Sequence, residues 1–344
     1  MPRTPDYLRR LLRHLRASPW VRLGLVVAAV AFCVYGLAAQ RSQVTAALHE
    51  LNWYSVAAAA GIALAGLGCM MFAWRSLLAD LGSPLRLRQA TTIMFVGQLG
   101  KYVPGMVWAF AAQIELAREH KIPRRRSATA TAVSMAVTLA TGLIVAALTL
   151  PLASRGAAEH YWWVLACAPL ILIGLYPPLL GEVLDRLLRL ARQPPLERRI
   201  SLPGLARAVA WTTLGWACFC LQLWLLVADV TGRGVGVLLL SAGAYALAWS
   251  VGFVLIIFPS GVGPRELALI AALAPVMSRG SALVIAIVSR LVMTIGDLAW
   301  AGLGLALGRG GRTAPAGGQP TSQQNGCREP HQRRGQTLAG EDRH

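Results

Sequence analysis

The sequence predicts an all-α polytopic membrane protein, with about six full spans and two oppositely oriented re-entrant hairpins made from broken helices. Of its 344 residues, 56% are hydrophobic and only 14% are charged. The mean hydropathy of +0.53 lies outside the range of soluble globular domains. Several windows hold about 20 apolar residues, the length that crosses a hydrocarbon core of roughly 30 Å. No segment is left that is long enough for a separate soluble catalytic domain.

Basic residues divide the predicted loops between two sides of a membrane. We place the full spans at 20–39, 53–74, 127–150, 161–180, 205–228 and 281–308. Most of the 33 Lys and Arg residues then fall on one side, and the other side has only Arg41, Arg155, Arg233 and Arg279. Because positively charged loops stay in the cytoplasm, this bias predicts that both termini are cytoplasmic. The net charge of +18 is therefore a topology signal and an attraction to anionic lipids, and no nucleic-acid partner is expected.

The two ends of the chain differ in composition from the membrane domain, which we place at 19–308. Residues 1–18 form a basic segment in which 5–17 put leucines on one helical face and arginines on the other, the pattern of a helix lying on the inner leaflet. Residues 309–344 are rich in Gly, Pro, Gln and Arg and have few apolar residues. Such a composition predicts a disordered, basic cytoplasmic tail.

The first broken segment lies between the second and third full spans and is interrupted at GKYVPG, residues 100–105. Its apolar halves, 90–99 and 106–117, each reach only about 15–20 Å and cannot cross the bilayer. Basic residues precede and follow the pair, so both ends belong on the cytoplasmic side. The segment is therefore predicted to be a re-entrant hairpin.

The second broken segment repeats this pattern in the opposite orientation. Residues 237–257 descend from the outer side, the chain breaks at FPSGVG (258–263), and a short helix resumes from 264 to about 276. Three full spans separate the two segments, and an odd number inverts their orientation. Inverted repeats with discontinuous helices are a recurring plan of transporters. Residues 237–257 are also long enough to cross fully, so both arrangements of this arm stay open.

Both breaks carry the residue types expected at an anion site. Pro104–Gly105 and Gly263–Pro264 each stand where a half-helix begins, and free N–H groups at a helix start attract anions. Lys101 and Arg265 add full positive charges. The expected ligand is a phosphate or another anionic lipid headgroup; the alternative is that the breaks only kink helices for packing. The predicted substrate-binding residues are Lys101, Tyr102, Pro104, Gly105, Trp108, Gln113, Gly261, Gly263, Arg265, Glu266, Arg290 and Asp297.

Three further ionisable residues, Glu266, Arg290 and Asp297, fall at membrane depth. An Asp or Arg there costs about 2.5–3.5 kcal/mol, so each side chain should face the interior and be paired. Arg290, Thr294 and Asp297 share one face of the last span. Arg290 pairing with Glu266 or with Asp297 would neutralise the cluster, either as a structural ion pair or with a gating or proton-coupling role. No catalytic or metal-binding motif accompanies them, so we expect no enzyme activity, metal or cofactor.

Three segments together resemble one known family. They are QLGKYVPGMVWAFAAQIELAREHKIPRRRSA, FPSGVGPRELAL and a late SRL in the last span. They are similar to the lysylphosphatidylglycerol synthetase transmembrane-region family, which includes the flippase half of the multiple peptide resistance factor, over roughly residues 89–308. The resemblance implies a multi-pass protein of the bacterial inner membrane that moves or handles phospholipid or polyprenyl-linked lipid. Fused members carry a soluble aminoacyl-transfer domain after the membrane part, and a short basic tail stands there in this sequence, so lysyl transfer is not expected.

The leading hypothesis is therefore a translocase for an anionic phospholipid or a polyprenyl-phosphate-linked lipid, with membrane lipids as its partners. The alternative is an accessory scaffold that docks a cell-envelope glycosyltransferase and does not itself transport. An integral-membrane transferase ranks last, because the sequence offers no base, nucleophile or metal cluster for it.

Overall fold

The structure, a computed structural model, describes residues 45, 49–102, 107–153, 200–254 and 263–309. All regular secondary structure in these ranges is helical, so the predicted all-α class is confirmed. A π-helical turn (Thr92–Val96) and a 3₁₀ turn (Leu99–Tyr102) follow the second helix. The helices are α1 Trp53–Asp80, α2 Leu87–Thr91, α3 Val107–Glu119, α4 Arg124–Ala153, α5 Leu202–Thr231, α6 Val235–Val254, α7 Pro264–Leu273 and α8 Arg279–Arg309.

Five of these helices, α1, α4, α5, α6 and α8, are long and apolar enough to cross a membrane. Helices α1, α4, α5 and α8 contain the predicted spans 53–74, 127–150, 205–228 and 281–308, and they begin earlier or end later than predicted. The predicted spans 20–39 and 161–180, the segment 1–18 and the tail after residue 309 lie outside the described residues. The protein is therefore a multi-pass membrane protein.

The first broken segment has a longer first arm than predicted. Helical backbone runs from Leu87 through the π turn and the 3₁₀ turn to Tyr102, so it enters the predicted break at 100–105. The second arm, α3, has 13 residues and is about 20 Å long. Gln89 and His120 stand at the outer ends of the two arms, and Nε2 of Gln89 lies 3.5 Å from Nδ1 of His120. The outer ends of the two arms therefore lie at the same end of the bundle, and the re-entrant arrangement of this segment remains a prediction.

The second broken segment is formed by α6 and α7. Helix α6 has 20 residues and is about 30 Å long, which is enough to cross a hydrocarbon core. Helix α7 has 10 residues and ends earlier than the predicted 276. The length of α6 fits a full crossing, and the re-entrant arrangement of this segment remains a prediction.

Polar contacts at the two ends of the bundle show how the helices are oriented. At one end, Asp80 accepts hydrogen bonds from the backbone N–H and the hydroxyl of Ser201, both at 2.6 Å. At the other end, Asp229 accepts bonds from the Asn52 N–H at 3.1 Å and the Ser55 hydroxyl at 2.9 Å. Helices α1 and α5 are therefore antiparallel and joined at both ends.

Similar contacts show which ends of α4 and α8 lie beside Asp80. Arg126, near the start of α4, donates to the Ser83 hydroxyl at 3.2 Å, and Arg88 donates to the carbonyl of Leu307 near the end of α8. Both contacts lie at the Asp80 end of the bundle. Arg86, Arg88, Arg118 and 124–126 all belong to this end, so basic residues are concentrated there.

Helix contacts in the first half have counterparts in the second half. Helix α1 packs on α5, α4 packs on α6 and on α3, and α8 packs on the π turn after α2 and on α7. Exchanging α1 with α5, the first arm with α6, α3 with α7, and α4 with α8 maps one set of contacts onto the other. This is the pattern that two oppositely oriented repeats would give.

Candidate functional site

A cavity of about 270 Å³ lies inside the bundle, between the two broken segments. The first broken segment contributes Gln98 and Gln113, the second contributes Arg265, and α8 contributes Arg290 and Asp297. A few convergent polar groups within apolar walls are typical of a ligand site. The apolar walls are mainly aromatic and methionine side chains: Met70, Trp74, Met94, Phe110, Met135, Trp216, Phe219, Trp249, Phe253 and Met293.

Arg265 reaches the cavity from the first turn of α7 and is held in place by Tyr245 of α6. Its Nη2 donates a hydrogen bond to the Tyr245 hydroxyl at 2.9 Å, and its Cζ lies 5.1 Å from the centre of the Tyr245 ring. Tyr245 is only 1% exposed, so its ring is fixed by the surrounding core. A guanidinium has five N–H donors in a rigid plane, and the Tyr245 contact uses one. Arg265 is therefore oriented to offer further donors to a ligand in the cavity.

Glu266 connects the start of α7 to α8. Its Oε2 accepts a hydrogen bond from the Gly263 N–H at 2.7 Å, and its Oε1 forms an ion pair with Nη1 of Arg290. Gly263 has a φ of +96°, a backbone conformation that glycine adopts without strain. Of the two pairings of Arg290 that the sequence left open, the Glu266 pair is present.

The Glu266 contact uses one of the N–H groups at the second break. The sequence predicts that free N–H groups at the start of α7 bind the ligand, and the Gly263 N–H is already bonded to Glu266. Binding of a ligand by the other N–H groups of this first turn stays a prediction, and Arg265 adds a full positive charge beside them. The Glu266 side chain is 8% exposed. Removing Arg290 alone would leave a buried carboxylate without its cation, at a cost of about 3–5 kcal/mol.

Two glutamines of the first broken segment meet at the sulfur of Met94. Nε2 of Gln113 lies 3.3 Å from Sδ of Met94, and Nε2 of Gln98 lies 3.5 Å from the same atom. A thioether is a weak acceptor, so either amide can exchange this contact for a ligand oxygen. The arms are close because residue 97 is glycine: a Cβ there would lie 2.9 Å from Cα of Gln113.

Helix α4 presents a row of hydroxyls to the cavity at Thr131, Ser134 and Thr138, spaced by three and four residues along one face. The Thr131 hydroxyl accepts a hydrogen bond from Nε1 of Trp74 at 3.1 Å. Nε1 of Trp216 donates to the Thr138 carbonyl at 3.2 Å. Because their N–H groups are satisfied, both indoles are fixed as walls of the cavity.

The sequence was compared with known families and proteins. The model of the family described as "Lysylphosphatidylglycerol synthase TM region" matches residues 20–301, which is well over half of the chain. The chain belongs to this family. The resemblance carried by the two broken segments is thereby confirmed. Neither a curated protein nor a solved structure gave a significant match.

Within this lysylphosphatidylglycerol synthase TM region, the predicted site residues fall into two groups. Gln113, Arg265, Arg290 and Asp297 line the cavity, and Glu266 adjoins it through its pair with Arg290. Gly263 supplies the N–H that Glu266 binds. In the second group, either the whole residue or its side chain lies outside the described part of the structure, so the role of each stays a prediction. This group consists of Lys101, Tyr102, Pro104, Gly105, Trp108 and Gly261.

Sequence reasoning did not identify several residues of the TM region's cavity. Gln98 had a usable signal, because it is an amide in an apolar arm two residues before the break. The hydroxyls of Thr131, Ser134 and Thr138 were also visible, as a polar stripe at helical spacing in an otherwise apolar span. Tyr245 had no such signal, since its role is to hold Arg265, which lies on another helix.

Proposed function

We propose that this TM region is a translocase for lipids with an anionic, phosphate-bearing headgroup. The observation that carries the proposal is the cavity shared by the two broken segments, with Arg265 and Arg290 among its lining residues. A phosphodiester or phosphomonoester is the natural counterion of a fixed guanidinium, because its oxygens match the planar N–H donors. Discontinuous helices that meet at one polar site are typical of transporters.

The size of the cavity supports a headgroup as the ligand. Pockets for whole drug-sized ligands are about 300–1,000 Å³, so 270 Å³ accommodates a headgroup but not two acyl chains as well. In the proposed mechanism the chains remain in the bilayer while the phosphate moves between the aromatic walls. The ligand changes leaflet, and no bond is made or broken. We place the protein in the bacterial inner membrane, with the basic Asp80 end of the bundle facing the cytoplasm.

The proposal is tested with purified protein in vesicles. Two fluorescent lipids are used, a phosphatidylglycerol and a polyprenyl phosphate, and their movement between leaflets is followed by chemical quenching of the outer leaflet. We expect Arg265→Ala to slow translocation at least about tenfold, the effect of losing one charged hydrogen bond to the ligand. Lys101→Ala should also slow it, since Lys101 is the predicted cation of the first break. Arg207→Ala is the matched control, because Arg207 is exposed near the start of α5 and does not line the cavity.

Equal rates for the wild type, Arg265→Ala and Lys101→Ala would contradict the proposal, provided that all variants elute as folded protein. A wild type that moves neither lipid, but co-purifies in fixed ratio with a cell-envelope glycosyltransferase, would instead support an accessory role.

A further inference from the structure

Helices α1 and α5 are counterparts at the level of single residues. A Cβ added at Gly66 of α1 would lie 2.6 Å from the Phe219 ring of α5, and a Cβ added at Gly215 of α5 would lie 2.7 Å from the end of Met70 of α1. The spacing along the chain from Gly66 to Gly215 and from Met70 to Phe219 is the same. Three further pairs with similar contacts have this spacing: Asn52 and Ser201, Cys69 and Cys218, and Asp80 and Asp229.

The first arm of the first broken segment and helix α6 are counterparts too. Gly304, near the end of α8, packs on the first arm, where an added Cβ would lie 3.2 Å from Cα of Thr92. Gly243 of α6 packs on Leu150, near the end of α4, and a Cβ added there would lie 2.5 Å from Cγ of Leu150. Because α4 corresponds to α8, Thr92 and Gly243 occupy matching positions in the two arms.

Met94 and Tyr245, two residues further along these arms, each hold a polar side chain that faces the cavity. Sδ of Met94 contacts Nε2 of Gln113 at 3.3 Å and Nε2 of Gln98 at 3.5 Å. The Tyr245 hydroxyl accepts from Arg265 at 2.9 Å. The site therefore has two halves of similar construction and different chemistry, an amide half (Met94, Gln98 and Gln113) and a guanidinium half (Tyr245 and Arg265).

We infer that the site takes a headgroup in which a phosphodiester carries a neutral polyol, either a glycerol or a sugar. This inference rests on the proposed function and names its substrate class. The phosphate binds at the guanidinium half, and the hydroxyls of the polyol bind at the amide half. A hydroxyl both donates and accepts hydrogen bonds, and so does a carboxamide. The hydroxyls of Thr131 and Ser134 line the same cavity and offer further partners of this kind.

The amide half is poorly suited to the alternatives. A phosphate that carries no further group would leave Gln113, which is 4% exposed, with only its weak thioether contact. An ammonium group has donors and no acceptor, so it cannot bind the amide N–H groups. Among the described residues at the cavity, the carboxylates Glu266 and Asp297 stand on α7 and α8, and none belongs to the amide half. Lys101, predicted at the tip of the first break, would repel an ammonium and can donate to a hydroxyl.

The binding test compares probes of equal charge, with the full chain in detergent. Dioctanoyl phosphatidylglycerol and dioctanoyl phosphatidylmethanol each carry one phosphodiester charge, and only the first has free hydroxyls. Binding is followed by tryptophan fluorescence, since Trp74, Trp216 and Trp249 line the cavity. We expect phosphatidylglycerol to bind at least about tenfold more tightly, because its hydroxyls gain hydrogen bonds that the methyl group lacks. Geranyl phosphoryl glucose against geranyl methyl phosphate repeats the comparison for a sugar, and the larger of the two ratios identifies the polyol.

Variants assign the two halves. Gln113→Leu should reduce the affinity ratio toward one by weakening the polyol probe alone, and Gln98→Leu should act in the same direction. Arg265→Ala should weaken both probes of a pair alike, so the ratio is kept. The matched control is Gln89→Leu, because Gln89 is exposed at the outer end of the same arm as Gln98 and does not line the cavity. It should leave both affinities unchanged.

The outcomes separate this inference from the proposed function. Equal affinities within both pairs of probes for the wild type would overturn the polyol site and leave the anionic-lipid translocase standing. A ratio that persists in both glutamine variants would overturn it as well, and so would dioctanoyl phosphatidylethanolamine binding as tightly as phosphatidylglycerol. The predicted ratios without translocation in vesicles would contradict the translocase only. Binding of none of these probes would contradict both.

Discussion

Replacing Arg290 by methionine tests the buried ion pair on which the cavity is built. The Arg290 side chain is 26% exposed and that of Glu266 is 8% exposed, so the pair is largely shielded from water. Arg290→Met leaves the Glu266 carboxylate without its cation, and we expect about 3–5 kcal/mol of destabilisation. Against a typical stability of about 5–15 kcal/mol, this is a large fraction of the total.

The double variant Arg290→Met with Glu266→Gln removes both charges and should recover most of the lost stability. The glutamine amide introduced by Glu266→Gln carries no charge that needs a cation, and its oxygen can still accept from the Gly263 N–H. We expect the double variant to lie within about 1–2 kcal/mol of the wild type, because replacing a whole buried pair is often close to neutral. Stability is measured by denaturant titration in a mild detergent, followed by circular dichroism.

The matched control is Arg279→Met, since Arg279 is an exposed arginine at the start of the same helix. It should change stability by less than about 0.5 kcal/mol. If the double variant were as unstable as Arg290→Met alone, the loss could not come from an uncompensated Glu266, and the reasoning would be refuted.

Three further changes test other parts of the structure. Gly97→Ala should cost about 1–3 kcal/mol in thermal denaturation, because the new Cβ would lie 2.9 Å from the backbone of the opposite arm; Gly61→Ala, where a Cβ meets nothing within 4 Å, should be neutral or stabilising. Tyr245→Phe removes the hydroxyl bonded to Arg265 at 2.9 Å and should weaken phosphatidylglycerol binding about tenfold, or about 1.4 kcal/mol, with the fold intact. Asp80→Ala removes both hydrogen bonds to the start of α5 and should lower stability by about 1–3 kcal/mol without changing the affinity for lipid.

The membrane class and the position of the two broken segments were predictable, because both depend on local composition. Apolar length predicts a span, and proline with glycine inside such a length predicts a break. Four of the six predicted spans fall within α1, α4, α5 and α8 for this reason, and the other two lie outside the described residues. Helix α5 begins earlier than predicted because its start depends on the cap Ser201, whose side chain accepts from the Gly204 backbone N–H.

The contacts of Glu266 were only partly predictable. A glutamate three residues after the residue that precedes a helix is a known capping pattern, so its bond to Gly263 had a sequence signal. Its choice of Arg290 depends on how α7 packs against α8, which no local pattern specifies. The same holds for Tyr245 and Arg265, whose contact joins α6 to α7.

The shared cavity is the central claim, and photolabelling tests it most directly. A phosphatidylglycerol with a diazirine in its headgroup is added to vesicles that contain the wild-type protein, with and without excess unlabelled lipid. We predict that competition removes label from α3 around Phe110 and Gln113 and from α7 around Arg265, because all three line the cavity. Label confined to the exposed face of α5, at Leu214 and Leu221, and insensitive to competition would contradict a headgroup site between the broken segments.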